Sequence, residues 1–364
     1  MMRKAPLFCS AMALLLLLCA VQVFSPDRDM SLMENRRLAV RPALTLSAFS
    51  RSQWANSFEA FCADQMPLRA QFVSLYTSAE ALIGRLNVEN VIRGKDGFLF
   101  ERAAGWSERN VRLNTAALNE LSRATGKKAL LLAVPTAAAV YPEKAPAFAP
   151  LADEEETLRF ASEQADTIPL LETLRNAKRE GTLLYYRTDH HWTAAGARIG
   201  YLSVCAALGL KPEEEGSSVS MPGFLGSFSA RCPLPWQKSD VFSYPETRGL
   251  RLIVDGREMD GLIDREILGQ RDWYASLLYG NHGVIEIIND EKADGELFVL
   301  KDSYANALLP SLARHYHRIQ AVDPRYFAGD IVETVNQNEG DVLLCVYGIA
   351  SLASGRTLAL LDGL

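Results

Sequence analysis

The chain has 364 residues, 48% of them hydrophobic, which suffices for one large domain or two ordinary ones with a substantial core. Its net charge is −6 and no long Lys/Arg run follows the first few residues. That balance excludes a phosphate-tracking surface, and with it nucleic acid as a partner.

At the N-terminus, Arg3 and Lys4 precede an uncharged stretch over residues 5–25 that contains five consecutive leucines, and Asp27 ends it. Such a segment is either a signal peptide or a bilayer span. No small-x-small cleavage pattern follows the leucines, so residues 1–25 read as an uncleaved signal anchor in preference to a cleaved, secreted form. The basic residues ahead of it put the remainder outside the cytoplasm. Cys19 follows Leu18 where lipidation requires a small residue. Cys62, Cys205, Cys232 and Cys345 are too widely spaced for a disulfide scaffold or a zinc pattern, so buried free thiols are expected.

Residues 26–93 form a helical region. Trp54, Phe58 and Phe61 recur at helical intervals within a pattern over 47–86 that Pro67 interrupts. In "GKDGFLF" at 94–100, Asp96-Gly97 supplies a tight reversal into an apolar strand. A helix over 110–125 stops at Gly126 and a strand follows at 128–135. Then come a charged helix at 152–164, a short apolar strand at 182–186, and a helix capped by Thr193 that runs to Gly209. Residues 211–280 are less regular. A strand at 296–300 leads through a sharp turn at 301–304 into a helix, with further strands at 318–323 and 341–348. This alternation predicts an α/β layered domain over 94–364, with a mostly parallel central sheet flanked by helices. No internal repeat is evident.

In open α/β sheets, ligands gather beyond the carboxyl ends of strands. Three turns place polar residues there: "RTDHHWT" at 187–193 with Asp189, His190 and His191, the 301–304 turn with Asp302 and Ser303, and "YGNHG" with Gly280, Asn281 and His282. Ser303 at a strand-to-helix turn suits either an N-cap or a nucleophile facing backbone N–H donors. A serine nucleophile needs a base, and the base needs an orienting acid. Asp189 and His191, two apart, can fill those roles, while alternation along an extended segment points His190 elsewhere. The same alternation argues against a metal held by all three. Ser227 and Ser229 in "GSFSA" are rival serines without the strand-turn-helix setting.

The segments "DHHWT" at 189–193, "GKDGFLF", "LKDSYANALLPSLARHYHRIQAVDPRYF" at 300–327, "ENRRLAVRP" at 34–42 and "FEAFCADQMPLR" at 58–69 resemble the DHHW family, over about residues 35–347. That family is related to the alginate O-acetyltransferase proteins with an SGNH-hydrolase-like fold. The resemblance implies Asp189, His191 and Ser303 as the catalytic set, with Gly280 and Asn281 in the oxyanion hole. The chain departs from the Gly-Asp-Ser block of ordinary SGNH hydrolases, reading Lys301-Asp302-Ser303.

What the resemblance implies is an extracytoplasmic O-acetyltransferase acting on an exopolysaccharide or cell-surface glycan through an acetyl-serine. It would need no cofactor or metal and would work with a membrane-bound O-acyltransferase as acetyl donor. The same site with water as acceptor would be an acetyl esterase. A non-catalytic glycan-binding scaffold is the alternative from another class, with Trp192, Trp236 and Trp273 as candidate sugar-stacking aromatics.

Overall fold

Period-2 and continuous apolar runs in the second half of the chain build one large sheet. The structure, a computed structural model, describes residues 5–31, 36–43, 52–179, 183–214, 216–270 and 272–360. It divides into two compact units, Met1–Val88 with Ala230–Gln237, and Glu89–Ser229 with Lys238–Leu364.

In the first unit, helix α1 (Pro6–Phe24) has 19 residues and carries no charge. At 1.5 Å per residue it is about 28 Å long, and among the described residues it is the one helix long and apolar enough to cross a bilayer. Two helices follow, Ser52–Gln65 and Arg69–Leu82. The interruption expected at Pro67 occurs there, with Leu68 left-handed at φ 59°. The part of the helical pattern over 47–51 lies outside the described residues.

The second unit is built on seven strands: β1 (Lys128–Val134), β2 (Leu250–Val254), β3 (Arg257–Glu258), β4 (Val284–Asn289), β5 (Glu296–Lys301), β6 (Arg318–Val322) and β7 (Val342–Gly348). Their order is β3-β2-β4-β6-β5-β7-β1. The pairs β6/β5, β5/β7 and β7/β1 are parallel, whereas β3/β2, β2/β4 and β4/β6 are antiparallel. The sheet is therefore mixed, and the expectation of a mostly parallel one is corrected. The reason lies in local chemistry. β5, apolar over residues 297–300, and β7 are buried along almost their whole length, as parallel strands require, but β2 alternates buried with more exposed residues. It turns into β3 through Asp255 and Gly256, both at positive φ, the signature of a tight hairpin.

Alternate residues of the parallel strands feed two core layers. Leu130, Leu132, Leu297 and Val299 pack with helices α3 (Ala194–Leu208) and α4 (Ala305–Leu312). Leu131, Ala133, Phe298 and Leu300 pack with helix α2 (Glu108–Thr125) on the opposite face. Each fully buried side chain of this kind contributes about 1.5–3 kcal/mol. α2 starts two residues earlier than expected, because Ser107 caps it by accepting from Arg109 N. α3 has the expected limits: Thr193 accepts from Gly196 N, and Gly209 closes it at φ 67°. Cys205 and Cys345 are buried free thiols, and Cys62 is a half-buried one.

The expected strand at 182–186 is absent, and residue 182 lies outside the described ones. The chain instead doubles back, with a single antiparallel bridge from Tyr185 to Trp192 and Tyr186 N donating to His191 O at 3.2 Å. α3 seats directly on this fold-back. A Cβ at Gly196 would lie 2.2 Å from the Leu184 carbonyl oxygen, and one at Gly200 would lie 2.8 Å from the Trp192 ring. Gly196→Ala is therefore expected to destabilise the protein by about 1–3 kcal/mol in urea unfolding, despite the better helix propensity of alanine. Unchanged or increased stability would contradict this seating.

Candidate active site

The turn that carries Ser303 begins where β5 ends. Asp302 is buried, with Oδ1 accepting from Tyr304 N at 2.9 Å and Oδ2 accepting from Gly348 N at 2.8 Å. It thus ties the end of β5 to the end of β7. Burial raises the pKa of its carboxyl, and the two N–H donors oppose the rise. Ser303 does not cap α4: the N-cap position is Tyr304, and no side chain fills the role. Its hydroxyl is thereby left for another partner. Among the described residues, the Ser303 backbone N–H has no hydrogen-bond partner.

That partner arrives on the fold-back before α3. His191 Nε2 lies 2.8 Å from Ser303 Oγ, and His191 Nδ1 lies 2.6 Å from Asp189 Oδ1. An ionised carboxylate can only accept, so Nδ1 carries the proton and Nε2 is free to accept from the serine hydroxyl. Asp189 also accepts from His191 N at 3.0 Å and from Ser227 N at 2.6 Å. Burial works to raise its pKa, but the two imidazoles and the N–H donors outweigh burial and hold the carboxyl well below the usual carboxylate range.

The arm is anchored by residues that single motifs did not reveal. Asp240 Oδ2 accepts from Thr188 N at 3.0 Å and Thr188 Oγ1 at 2.9 Å, and Arg187 pairs with Asp240 at 3.1 Å. Gly226 N donates to Thr188 Oγ1 at 3.1 Å, and a Cβ at Gly226 would sit 2.4 Å from Asp189 Oδ2. Only glycine lets this loop reach the carboxylate. Tyr274 stacks on the His191 ring, with centroids 3.6 Å apart and planes 6° apart, and its hydroxyl donates to Ser303 O at 3.2 Å. Trp192 donates from Nε1 to Tyr304 O at 3.0 Å, joining the fold-back to the turn that carries Ser303.

His190 does not point elsewhere. Its ring lies against His191 with centroids 3.8 Å apart, and its Nδ1 is 2.9 Å from Ser227 Oγ. Residues 187–191 are a bend and not an extended strand, so the alternation argument does not apply to them. One ligand-type atom from each of Asp189, His190 and His191 lies within 4.8 Å of the others. Both nitrogens of His191 are already bound, however, and an ion would have to displace Asp189 or Ser303. Desolvation of this half-buried ring, reinforced by neighbouring His191, lowers the His190 pKa from its ordinary value.

Of the rival serines, Ser227 serves Asp189 and His190, and Ser229 is buried with Oγ unpartnered among the described residues. The "YGNHG" turn reaches the site differently from the expectation. Gly280 N donates to Leu277 O at 3.1 Å, and Gly280 O accepts from Asn306 Nδ2 at 3.1 Å. The buried Oδ1 of Asn281 has no hydrogen-bond partner among the described residues, and His282 bonds to Tyr279 O and Asp255. Trp192 and Trp273 are buried, which removes them as sugar-stacking surfaces and leaves Trp236 exposed.

Comparison with known proteins bears on the family and the fold. Residues 91–220 match the family described as an SGNH hydrolase-like domain, acetyltransferase AlgX, and residues 166–322 match the DHHW protein family. The curated "Probable alginate O-acetylase AlgJ" of Pseudomonas syringae pv. tomato is 27% identical over 176 residues, which is 45% of this chain and 45% of that protein. The matched stretch thus spans less than half of that relative. A DHHW family protein from Eubacterium siraeum superposes with a TM-score of 0.62 at 19% identity, covering 76% of this chain and 97% of that one. Bacillus cereus PatB1 gives 0.61 at 20%, covering 73% and 98%. The resemblance to the DHHW and SGNH hydrolase-like acetyltransferase proteins holds, and the fold is the SGNH-like α/β fold.

Because the folded-state pKa of Asp189 lies below the unfolded value of about 3.9, its stabilisation is complete above that pH and is lost as pH falls beneath it. Asp189→Asn is expected to lower Tm at pH 7 and to flatten the decline of Tm below pH 4. Parallel Tm–pH curves for the variant and the wild type would contradict the charged, buried state of this carboxyl.

Proposed function

We propose that this chain, which carries the SGNH hydrolase-like and DHHW signatures over residues 91–322, is an extracytoplasmic O-acetyltransferase. Its acceptor is an exopolysaccharide or cell-surface glycan. The observation that carries the reading is the continuous relay from Asp189 through His191 to Ser303, at 2.6 and 2.8 Å. His191 takes the Ser303 proton, and the serine oxygen attacks the acetyl carbonyl of the donor. The leaving group departs with the proton from His191, and Ser303 is left as an acetyl ester. A glycan hydroxyl then gives its proton to His191 and attacks the ester, which restores the serine. The unpartnered Ser303 N–H is the first oxyanion donor in this scheme, with Asn281 as the second. Gly280 can join them only after releasing Leu277.

The alginate O-acetylase relative supports acetyl as the group and a polysaccharide as the acceptor. In this reading α1 is a signal anchor over 1–25, residues 26–93 are a helical spacer, and 94–364 is the catalytic domain. Anchoring of this kind holds the serine near a membrane-bound O-acyltransferase that delivers acetyl groups across the bilayer.

Incubating the detergent-solubilised full chain with a chromogenic acetyl ester is expected to add one acetyl group to Ser303, read by peptide mass spectrometry. Ser303→Ala and His191→Ala should each lower turnover by on the order of 10⁴-fold. Acetate release by Ser303→Ala at the wild-type rate would overturn the assignment. With oligosaccharides present, acetylated sugar should accumulate faster than free acetate, and the reverse result would favour an esterase.

A further inference from the structure

Lys301, the last residue of β5, is fully buried two positions before Ser303, and the acyl-transfer scheme gives it no task. Its Nζ donates to Asn306 Oδ1 at 2.9 Å. The nearby carboxylates are occupied elsewhere: Asp302 holds Tyr304 N and Gly348 N, and Asp323 holds Arg325. An ammonium group cannot accept a hydrogen bond, so the Asn306 carboxamide must turn its oxygen toward Lys301. Its NH2 then faces the opposite way, where Nδ2 meets Gly280 O at 3.1 Å. A carbonyl cannot donate, so both ends demand the same orientation.

The segment held by this amide is strained. Leu278, Tyr279 and Gly280 all have positive φ, at 54°, 60° and 91°, and only the last is a glycine. Non-glycine residues keep such a conformation only where surrounding contacts over-determine it. Tyr274, whose ring lies flat on the catalytic imidazole, sits just ahead of this turn, and its carbonyl accepts from Leu277 N at 3.1 Å.

We propose that Lys301 is a positioning residue: it orients Asn306 so that the amide latches the 277–281 turn to α4 and thereby holds Tyr274 against His191. This inference rests on the acyl-transfer reading for its kinetic consequence, but the latch itself is structural. Burial lowers the pKa of Lys301 to about 8, with Asp323 and Asp302 opposing the shift and Arg325 adding to it. Loss of the proton replaces a charge-assisted bond by a weaker neutral one, so the latch loosens as pH rises through about 8.

The test uses the full chain in detergent and compares wild type, Lys301→Met and Asn306→Asp. The aspartate variant retains an acceptor for Lys301 but has no donor for Gly280. Each variant is expected to lower kcat on the acetyl ester about tenfold, with KM changed less than twofold. The wild-type kcat profile should show an alkaline limb near pH 8 that Lys301→Met lacks. Hydrogen exchange at the Leu278 and Gly280 amides should rise about tenfold in both variants. In the wild type, exchange should rise above pH 8 beyond the intrinsic base-catalysed increase.

Unchanged exchange in both variants would overturn the latch. So would kcat–pH profiles superimposable on a Ser303-dependent wild type. Absence of Ser303-dependent turnover in the wild type would instead overturn the acyl-transfer reading, and the exchange measurement would still decide for or against the latch.

Discussion

A carboxylate buried beside an imidazole is the constraint around which this molecule is arranged. Asp189 is 2% exposed, and an ionised carboxyl at that depth is tolerable only when its lone pairs are filled. The chain fills them with His191 Nδ1, His191 N and Ser227 N. Each donor imposes a geometric demand. The first two require a bend at 187–191, and the third requires a loop that approaches without a side chain, which Gly226 permits. Thr188 and Asp240 then brace the bend from behind.

The opposite half of the site is set by the sheet. Parallel strands β5 and β7 end at one edge, and Asp302 joins them by bonding Gly348 N and Tyr304 N. By the resemblance, Lys301-Asp302-Ser303 stands where ordinary SGNH hydrolases have Gly-Asp-Ser. The aspartate performs the turn-holding role, and the preceding position is turned into the protein interior. Ser303 is left without a capping duty and, among the described residues, with an unpartnered backbone N–H. Trp192, reaching across to Tyr304 O, couples the two halves, so the hydrogen bond from Ser303 to His191 is a consequence of two separately rigid parts.

Much of this was readable in advance where the signal was local. Helix limits at Thr193 and Gly209, the break at Pro67 and the strand-turn-helix around Ser303 follow from capping, ring geometry and apolar runs that act within a few residues. Sequence and structure differ where remote contacts override a local rule. Alternation assigned His190 to the opposite side of an extended segment, but the fold-back from Tyr185 to Trp192 stacks it on His191. A parallel sheet was expected from alternating elements, although the exposed alternation of β2 and its Asp255-Gly256 turn already favoured antiparallel pairing. Trp192 and Trp273 were counted as possible surface aromatics because no single-residue rule reports burial.

Residue type and short-range order picked out the candidate groups: one acid and one base two residues apart, a serine at a strand end, and an apolar helix at the N-terminus. Those properties are covalent or span a single turn, so they survive in the linear chain. Tertiary structure decided which of them meet. The separation from His191 to Ser303 is 112 positions in sequence and 2.8 Å in space. That closure depends on α3 and α4 packing on one face of a shared sheet, and on Asp240 and Tyr274 arriving from distant segments. No spacing rule encodes those arrivals, because they are fixed by how buried polar groups find partners once the core has closed.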